Sequence, residues 1–241
     1  METLLSQTCL PSEILISDDG SCDDTVAIVN KFIKKNGNLT NWRILQNKHK
    51  GPGAARNFAI REAKGDWIAF LDSDDSWLDK KIETIQEVIK RSPEKNFFCH
   101  DELLIPLKGK VRILNYGRKY RPSLPLPPQI YLSNMFSTSA VVCRRDLLII
   151  NGLFDETLMS AQDYELWLRL SCFIKPVFIY EVLGKYVERK GNITNSKFKM
   201  RFSNEIKIAL KYSKSFPFYL VAIRIVRIVL SFGFQFIRSR F

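Results

Sequence analysis

The sequence predicts an α/β protein with a doubly wound, mostly parallel, Rossmann-like sheet and a basic, amphipathic C-terminal helical tail. Three observations predict it. Short apolar runs that end in acidic or polar residues alternate three times with segments of helical periodicity before residue 92. A hydrophobic content of 46% over 241 residues supplies one sizeable core. The net charge of +12 is concentrated at one end: Lys175 onward holds fourteen Lys or Arg against three Glu, a net +11, and the first 174 residues hold 23 basic and 22 acidic side chains.

Element by element, "LLSQT" near the start is helical. "EILIS" (Glu13 to Ser17) is a buried strand running into "DDGS". "DDTVAIVNKFIKK" carries apolar residues at helical spacing behind Asp23, a residue type that caps helices by accepting from free N–H groups. "WRILQN" is strand, "GAARNFAIREA" helix, "DWIAFLD" strand and "SWLDKKIETIQEVIKRS" helix, with Asp75 or Ser76 as its expected cap. The Pro-rich "RPSLPLPPQ", Arg121 to Gln129, is a surface crossing inside the domain. Residues 1–190 form the predicted catalytic domain and 191–241 the tail. The five cysteines are scattered without a CxxC pair, and only two histidines accompany them, which reads as reduced thiols in a cytoplasmic protein without a zinc site.

In open α/β sheets ligands bind beyond the carboxyl ends of the strands, and both acidic clusters, Asp18-Asp19 and Asp72 to Asp75, stand there. Crowded carboxylates repel unless they hold a divalent cation, accept from ligands or cap helices. One cap needs one acid, so capping alone does not account for Asp72 and Asp74, and a divalent cation or a hydrogen-bonding ligand both remain open for them. Trp67 and Trp77, on either side of these acids, are core anchors, with sugar stacking by Trp77 as the other reading.

Three segments, "LLSQTCLPSEILISDDGSCDDT", "GPGAARNFAIREAKGDWIAFLDSDDSW" and "RRDLLIINGLFDETLMSAQDYELWLRL", resemble the family 2 nucleotide-sugar glycosyltransferases of the GT-A fold, over roughly Glu2 to Leu170. The resemblance implies that Asp19 hydrogen-bonds the base of the nucleotide, with Asp18 shaping the turn. It implies that Asp72, Ser73 and Asp74 form the Asp-X-Asp element, with Asp74 ligating Mg²⁺ or Mn²⁺ against the donor's phosphates and Asp72 supporting the metal or the ribose. It makes Asp163 the base of an inverting transfer, with Gln162 in place of the commoner Glu; a cap for the helix "YELWLRLSCF" is the compatible structural role of Asp163. Arg56 and Asn57 would face the nucleotide, with charge balance for the acidic cluster as the equal alternative for Arg56, and Arg189 and Lys190 would lie on a loop over the pyrophosphate or in a solvated turn. Lys48, His49 and Lys50 precede "GPG" within reach of phosphate. The family opens with a strand ahead of "LLSQT"; this chain begins within that helix, so the sheet is expected to lack that strand.

The expected activity is transfer from a nucleoside-diphosphate-sugar to a hydroxyl of a glycan or lipid-linked acceptor in cell-surface polysaccharide or lipopolysaccharide synthesis. Two alternatives remain at this point: a non-catalytic, decayed transferase held at a membrane by its tail, and a haloacid-dehalogenase-like phosphatase, which also uses Asp-X-Asp but prefers Thr or Val where Ser76 stands. No RNA-binding signature appears, so nucleic acid is not an expected partner. In the tail, Phe216 to Ile237 is long enough for a membrane span, but Arg224 and Arg227 would each cost about 2.5–3.5 kcal/mol near its centre. Arg224, Arg227, Ser231, Gln235 and Arg238 form one polar stripe at helical spacing. The expectation is a helix lying on the anionic cytoplasmic face of a membrane, with packing on its own domain as the alternative.

Overall fold

The computed structural model describes residues 1–36, 39–189 and 198–238; Phe198 and residues 234–238 are described by backbone alone. Helix α1 (Glu2–Leu5) leads into strand β1 (Glu13–Asp18), followed by α2 (Thr25–Asn36), β2 (Asn41–Gln46), α3 (Pro52–Glu62) and β3 (Trp67–Ala69). Asp23 does cap its helix, accepting from the Thr25 N–H at 3.0 Å. Strand β4 (Ser76–Trp77), α4 (Lys81–Arg91), β5 (Phe97–Ile105) and β6 (Arg112–Leu114) come next. Then follow α5 (Leu126–Leu132), β7 (Val141–Arg144), α6 (Arg145–Ile150), α7 (Gln162–Leu170) and β8 (Pro176–Val187). The C-terminal region forms α8 (Phe198–Lys211) and α9 (Phe218–Arg238).

The α/β class holds, but the sheet is mixed. Strands β1 and β2 pair in parallel as a sheet of two. The other six form a second sheet in the order β3-β7-β5-β8-β4, with β6 also on β5. Only β5 and β8 run parallel there, and β3/β7, β5/β7, β4/β8 and β5/β6 are antiparallel. The parallel reading fails after β3, because the chain makes a strand where a crossover helix was expected. Ser76 and Trp77 pair with Lys185 and Gly184, and α4 begins four residues later than the spacing of Trp77, Leu78 and Ile82 suggested. Gly184 leaves room for this packing: a Cβ there would stand 3.1 Å from the His100 ring and 3.3 Å from Glu102 Oε1, a tight contact.

Asp75 and Ser76 consequently cap nothing. The residue before α4 is Lys80, whose side chain makes no cap; Gln7 Oε1 instead accepts from the Ile82 N–H in the first turn at 3.1 Å. The Pro-rich crossing is shorter than expected, since α5 starts at Leu126 with proline in its first turn, where a missing N–H costs nothing.

The main core lies between the larger sheet and α5, α6 and α7. Trp167 is fully buried at its centre, with the rings of Phe97, Phe136, Phe154 and Phe70 at 5.1–6.3 Å. A smaller cluster under β1 and β3 joins Leu4, Ile14, Trp77 and Ile82. Trp77 is thus a core residue, with the Lys81 ammonium 4.0 Å over its ring, and sugar stacking is excluded by burial. Trp67 is half-buried and packs on Phe98 at 5.4 Å.

The C-terminal helices pack on this body. Asn204 of α8 donates to Ser160 Oγ at 3.0 Å, and Tyr131 of α5 donates to the Ala209 carbonyl at 2.9 Å. Helix α9 presents Ile228 and Phe232 to Ala209 of α8. Of the polar stripe expected along it, Arg224 does not reach the free side: it is 7% exposed and turned inward, where it pairs with Glu205 at 3.0 Å and lies 4.7 Å over the Tyr164 ring. Arg227 and Ser231 are exposed, and the side chains of Gln235 and Arg238 lie outside those described. Among the described residues no helix is long and apolar enough to cross a membrane.

Candidate active site

The carboxyl end of β1 delivers Asp18 and Asp19. Asp18 closes the turn, accepting from the Ser21 N–H at 3.1 Å and from its hydroxyl. Gly20 takes φ 77°, a left-handed conformation in which a Cβ would meet the His49 nitrogen at 2.9 Å. Asp19 accepts from the N–H groups of Lys50 and Gly51 and lies 2.9 Å from His49 Nδ1. It therefore fixes the loop that feeds α3, with its negative charge at the positive end of that helix.

Helix α3 then sends two neighbouring residues in different directions. Asn57 is buried and binds the backbone of Phe154 in both directions, donating to its carbonyl and accepting from its N–H at 2.8 Å each. It is a staple between α3 and the segment before α7 and does not face a nucleotide. Arg56 points the other way, to Asp72 Oδ1 at 2.5 Å, across the Phe154 ring. Burial works against its charge, but Asp72, Asp163 and Asp74 together outweigh that and hold the guanidinium more firmly protonated than usual. One arginine thus lies in the field of both acids of the Asp-X-Asp element and of the expected base.

The acidic turn beyond β3 is held from beneath. The Asp72 N–H donates to Ser139 Oγ at 3.0 Å, and that hydroxyl donates to Asp75 Oδ2 at 2.6 Å. The Ser139 carbonyl accepts from Lys81 Nζ at 2.7 Å and from the Trp77 indole. Asp75 also accepts from the Val187 N–H, and burial, with Glu102 and Asp72 nearby, pushes its carboxyl up to about 7. Asp72 and Asp74 are half-buried and Ser73 is exposed.

Asp163 sits in the first turn of α7, one residue after Gln162, and does not cap it: the capping position is Ala161, in the left-handed conformation at φ 57°. Its Oδ2 accepts from Asn134 Nδ2 at 3.1 Å. Burial raises its pKa above the ordinary value, against the pull of Arg56 and of Arg201 on α8. Lys190 lies outside the described residues, and Arg189 is exposed two residues after β8.

Sequence reasoning missed Ser139, Lys81, Asn134 and Arg201. None belongs to a motif, and Ser139 lies 67 residues from the Asp72 it supports. A recess of about 520 Å³ between Arg61 and Lys211 is lined by Asn57 but by none of the acidic candidates, and one of about 290 Å³ runs past Lys48 and Lys50 beside the Asp19 loop.

Among the described residues no group of three or more His, Cys, Asp or Glu is arranged to hold a metal ion. Asp72 and Asp74 are hard oxygen donors of the kind Mg²⁺ and Mn²⁺ prefer, and two such donors suit a cation whose remaining ligands come from a phosphate.

Residues 1–100 match the sequence family described as Glycosyl transferase family 2. A relative from Escherichia coli, "UDP-Glc:alpha-D-GlcNAc-diphosphoundecaprenol beta-1,3-glucosyltransferase WfaP", is 34% identical over 212 residues, covering 86% of this chain and 78% of its own. Among solved structures, Staphylococcus aureus TarS 1-349 in complex with UDP-GlcNAc superposes with a TM-score of 0.67 at 22% identity, over 87% of this chain and 61% of that one. The mannosyltransferase PcManGT from Pyrobaculum calidifontis, in complex with GDP-Man and Mn²⁺, gives 0.65 at 16% identity, over 93% and 63%. These two share the GT-A fold with it, and the phosphatase alternative falls. With the acidic turn, the Asp19 loop and the α7 aspartate at one end of such a fold, and a relative of this similarity along most of its length, the chain belongs to glycosyl transferase family 2, and it is a glycosyltransferase.

Proposed function

We propose that the protein moves a sugar, with inversion, from a nucleoside-diphosphate-sugar to a hydroxyl of a lipid-linked glycan at the cytoplasmic face of a membrane. The observation that carries the reading is Arg56, which pairs with Asp72 at 2.5 Å and lies in the field of Asp74 and Asp163: a cation shared by the acids expected at the diphosphate and the acid expected at the acceptor supports a single site. The name of the E. coli relative, with a UDP-sugar and a diphosphoundecaprenol acceptor, supports both substrate classes.

On this reading the Asp19 loop takes the base, and Asp72 and Asp74 face the diphosphate. A Mg²⁺ or Mn²⁺ ion held by those two would neutralise charge on the departing nucleoside diphosphate. Arg56 offers a second cation, released from Asp72 as the phosphates arrive. Asp163 accepts the proton of the acceptor hydroxyl as its oxygen bonds to the anomeric carbon, on the face opposite the breaking carbon–oxygen bond. A carboxylate whose pKa is raised by burial is a better proton acceptor than a solvated one. Asn134, bonded to one oxygen, fixes its direction.

Transfer from radiolabelled UDP- and GDP-sugars to an extract of polyprenyl-linked glycans tests the proposal. Asp163→Asn is expected to reduce transfer by roughly a hundredfold to ten-thousandfold, the range for a lost general base, with nucleotide affinity unchanged. Equal loss of nucleotide binding would make Asp163 a structural residue and remove it from the chemistry.

A further inference from the structure

Helix α9 shows the opposite of an ordinary surface helix. Arg224 goes inward, Arg227 stands exposed at the edge, and the arc opposite Arg224 is apolar. Arg224 pairs with Glu205, donates to the Leu132 carbonyl at 3.2 Å and lies over Tyr164, while Ile228 and Phe232 follow on the same face against α8. At helical spacing the opposite arc carries Phe218, Tyr219, Ile223, Val226, Val229 and Leu230. All six are exposed, Phe218 at 86% and Leu230 at 67%. A contiguous apolar face of this kind on a soluble surface marks an interaction site.

From this we infer that the α9 face docks on an anionic lipid bilayer, lying in its surface with the six apolar side chains inserted. Charge decides the occupant. Arg227 borders the face on the same helix, and Lys207 and Lys214 stand exposed on α8 and the turn after it, within a region of net +11. Against anionic headgroups these cations attract, whereas a second copy of the chain would bring like charges together around the shared patch. The same helix is locked by Arg224 to Tyr164, the residue after Asp163. Docking through α9 therefore holds the Asp163 end of the site at the surface where a lipid-linked acceptor is presented. That last point rests on the proposed function; the lipid contact itself does not.

Flotation of the full chain with acceptor-free vesicles tests the contact apart from the chemistry. The protein is expected to float with phosphatidylcholine–phosphatidylglycerol vesicles and to be partly released by high salt. Val226→Asp with Leu230→Asp should lower the partition coefficient by roughly tenfold or more, since inserted apolar area and lipid charge set such binding. The single Leu230→Asp should give an intermediate loss. Ile28→Asp, at an exposed apolar position on α2, should bind as the wild type does. Hydrogen exchange of the unaltered chain should show residues 218–230 protected on vesicles. Absence of flotation, unchanged binding of the double variant, an equal loss in Ile28→Asp, or a stable dimer that already protects residues 218–230 would each overturn the inference. Transfer to a water-soluble glycan acceptor by the double variant should persist; its loss together with intact flotation would count against the proposed chemistry and also against this face as the lipid contact.

Discussion

Ser139 shows how a residue with no chemistry of its own sets a reactive turn. It receives the Asp72 N–H, donates to Asp75, and through its carbonyl receives Lys81, which is fully buried and whose ammonium burial drives toward the neutral form. Ser139→Ala would leave the Asp72 N–H and one Asp75 oxygen without that partner. The expected cost is about 1–3 kcal/mol of stability in urea unfolding, the range for an unsatisfied buried group, together with weaker nucleotide binding. Full stability and unchanged affinity would show the serine to be a spacer. The acidic clusters beyond β1 and β3 stood out because carboxylates massed at a strand end have few other uses, whereas Asp163, in the first turn of α7, stood out only through the family resemblance. Their supports were not, because a serine, an asparagine and a lysine carry no signal until the fold brings them from distant segments. Asn57 shows the opposite error: beside Arg56 in the motif, it is buried and holds the backbone of Phe154 and the carboxylate of Glu156.

At the scale of elements, α7 and α8 are joined by a carboxylate. Glu165, whose side chain is 1% exposed, accepts from Arg169, from Tyr212 and from Lys211. Burial alone would raise its pKa, but those three bonds outweigh burial and hold it below the ordinary 4.5. A carboxyl depressed in the folded state adds stability above its unfolded pKa and loses it as the pH falls through the folded value. Glu165→Gln should therefore cost about 1–3 kcal/mol at neutral pH. The deficit should shrink as the pH falls below about 4.5, and a deficit independent of pH would assign it to packing alone. Elements with a strong period were legible: α2, α3, β1 and β2 fall within two residues of where the apolar spacing puts them. Strand β4 was not, since two residues cannot show a period, and its pairing with β8 overrides the helical pattern that runs through Trp77.

The whole molecule divides into a firm half and a looser one. The larger sheet and α7 are packed around Trp167, whereas β1 contributes only Ile14 to the buried set and α2 only Val29. The edge of β1 away from β2 and the edge of β3 away from β7 carry no strand among the described residues. Native-state hydrogen exchange should accordingly find β1, β2 and α2 opening at lower free energy than β5, β7 and α7. Uniform protection would contradict that division. Nucleotide should slow exchange in the looser half, because the Asp19 loop joins it to the acidic turn. The alternation of strand and helix revealed the α/β class, but not the antiparallel pairings of β5, β7 and β8, which depend on contacts between segments far apart in the chain.

The central claim, that Asp72 and Asp74 bind the donor's diphosphate together with a divalent cation, is tested most directly by calorimetric titration of UDP and GDP into the protein with and without Mn²⁺, beside Asp74→Asn. The account predicts that one nucleotide binds at a single site only when Mn²⁺ is present. A ligand held by the folded state alone then adds about 2.7 kcal/mol of stability at a hundred times its dissociation constant, so the melting temperature should rise with it. Asp74→Asn should melt as the wild type does without ligand and should lose both the binding and the rise. Nucleotide binding that is unaffected by Mn²⁺ and survives in Asp74→Asn would contradict it.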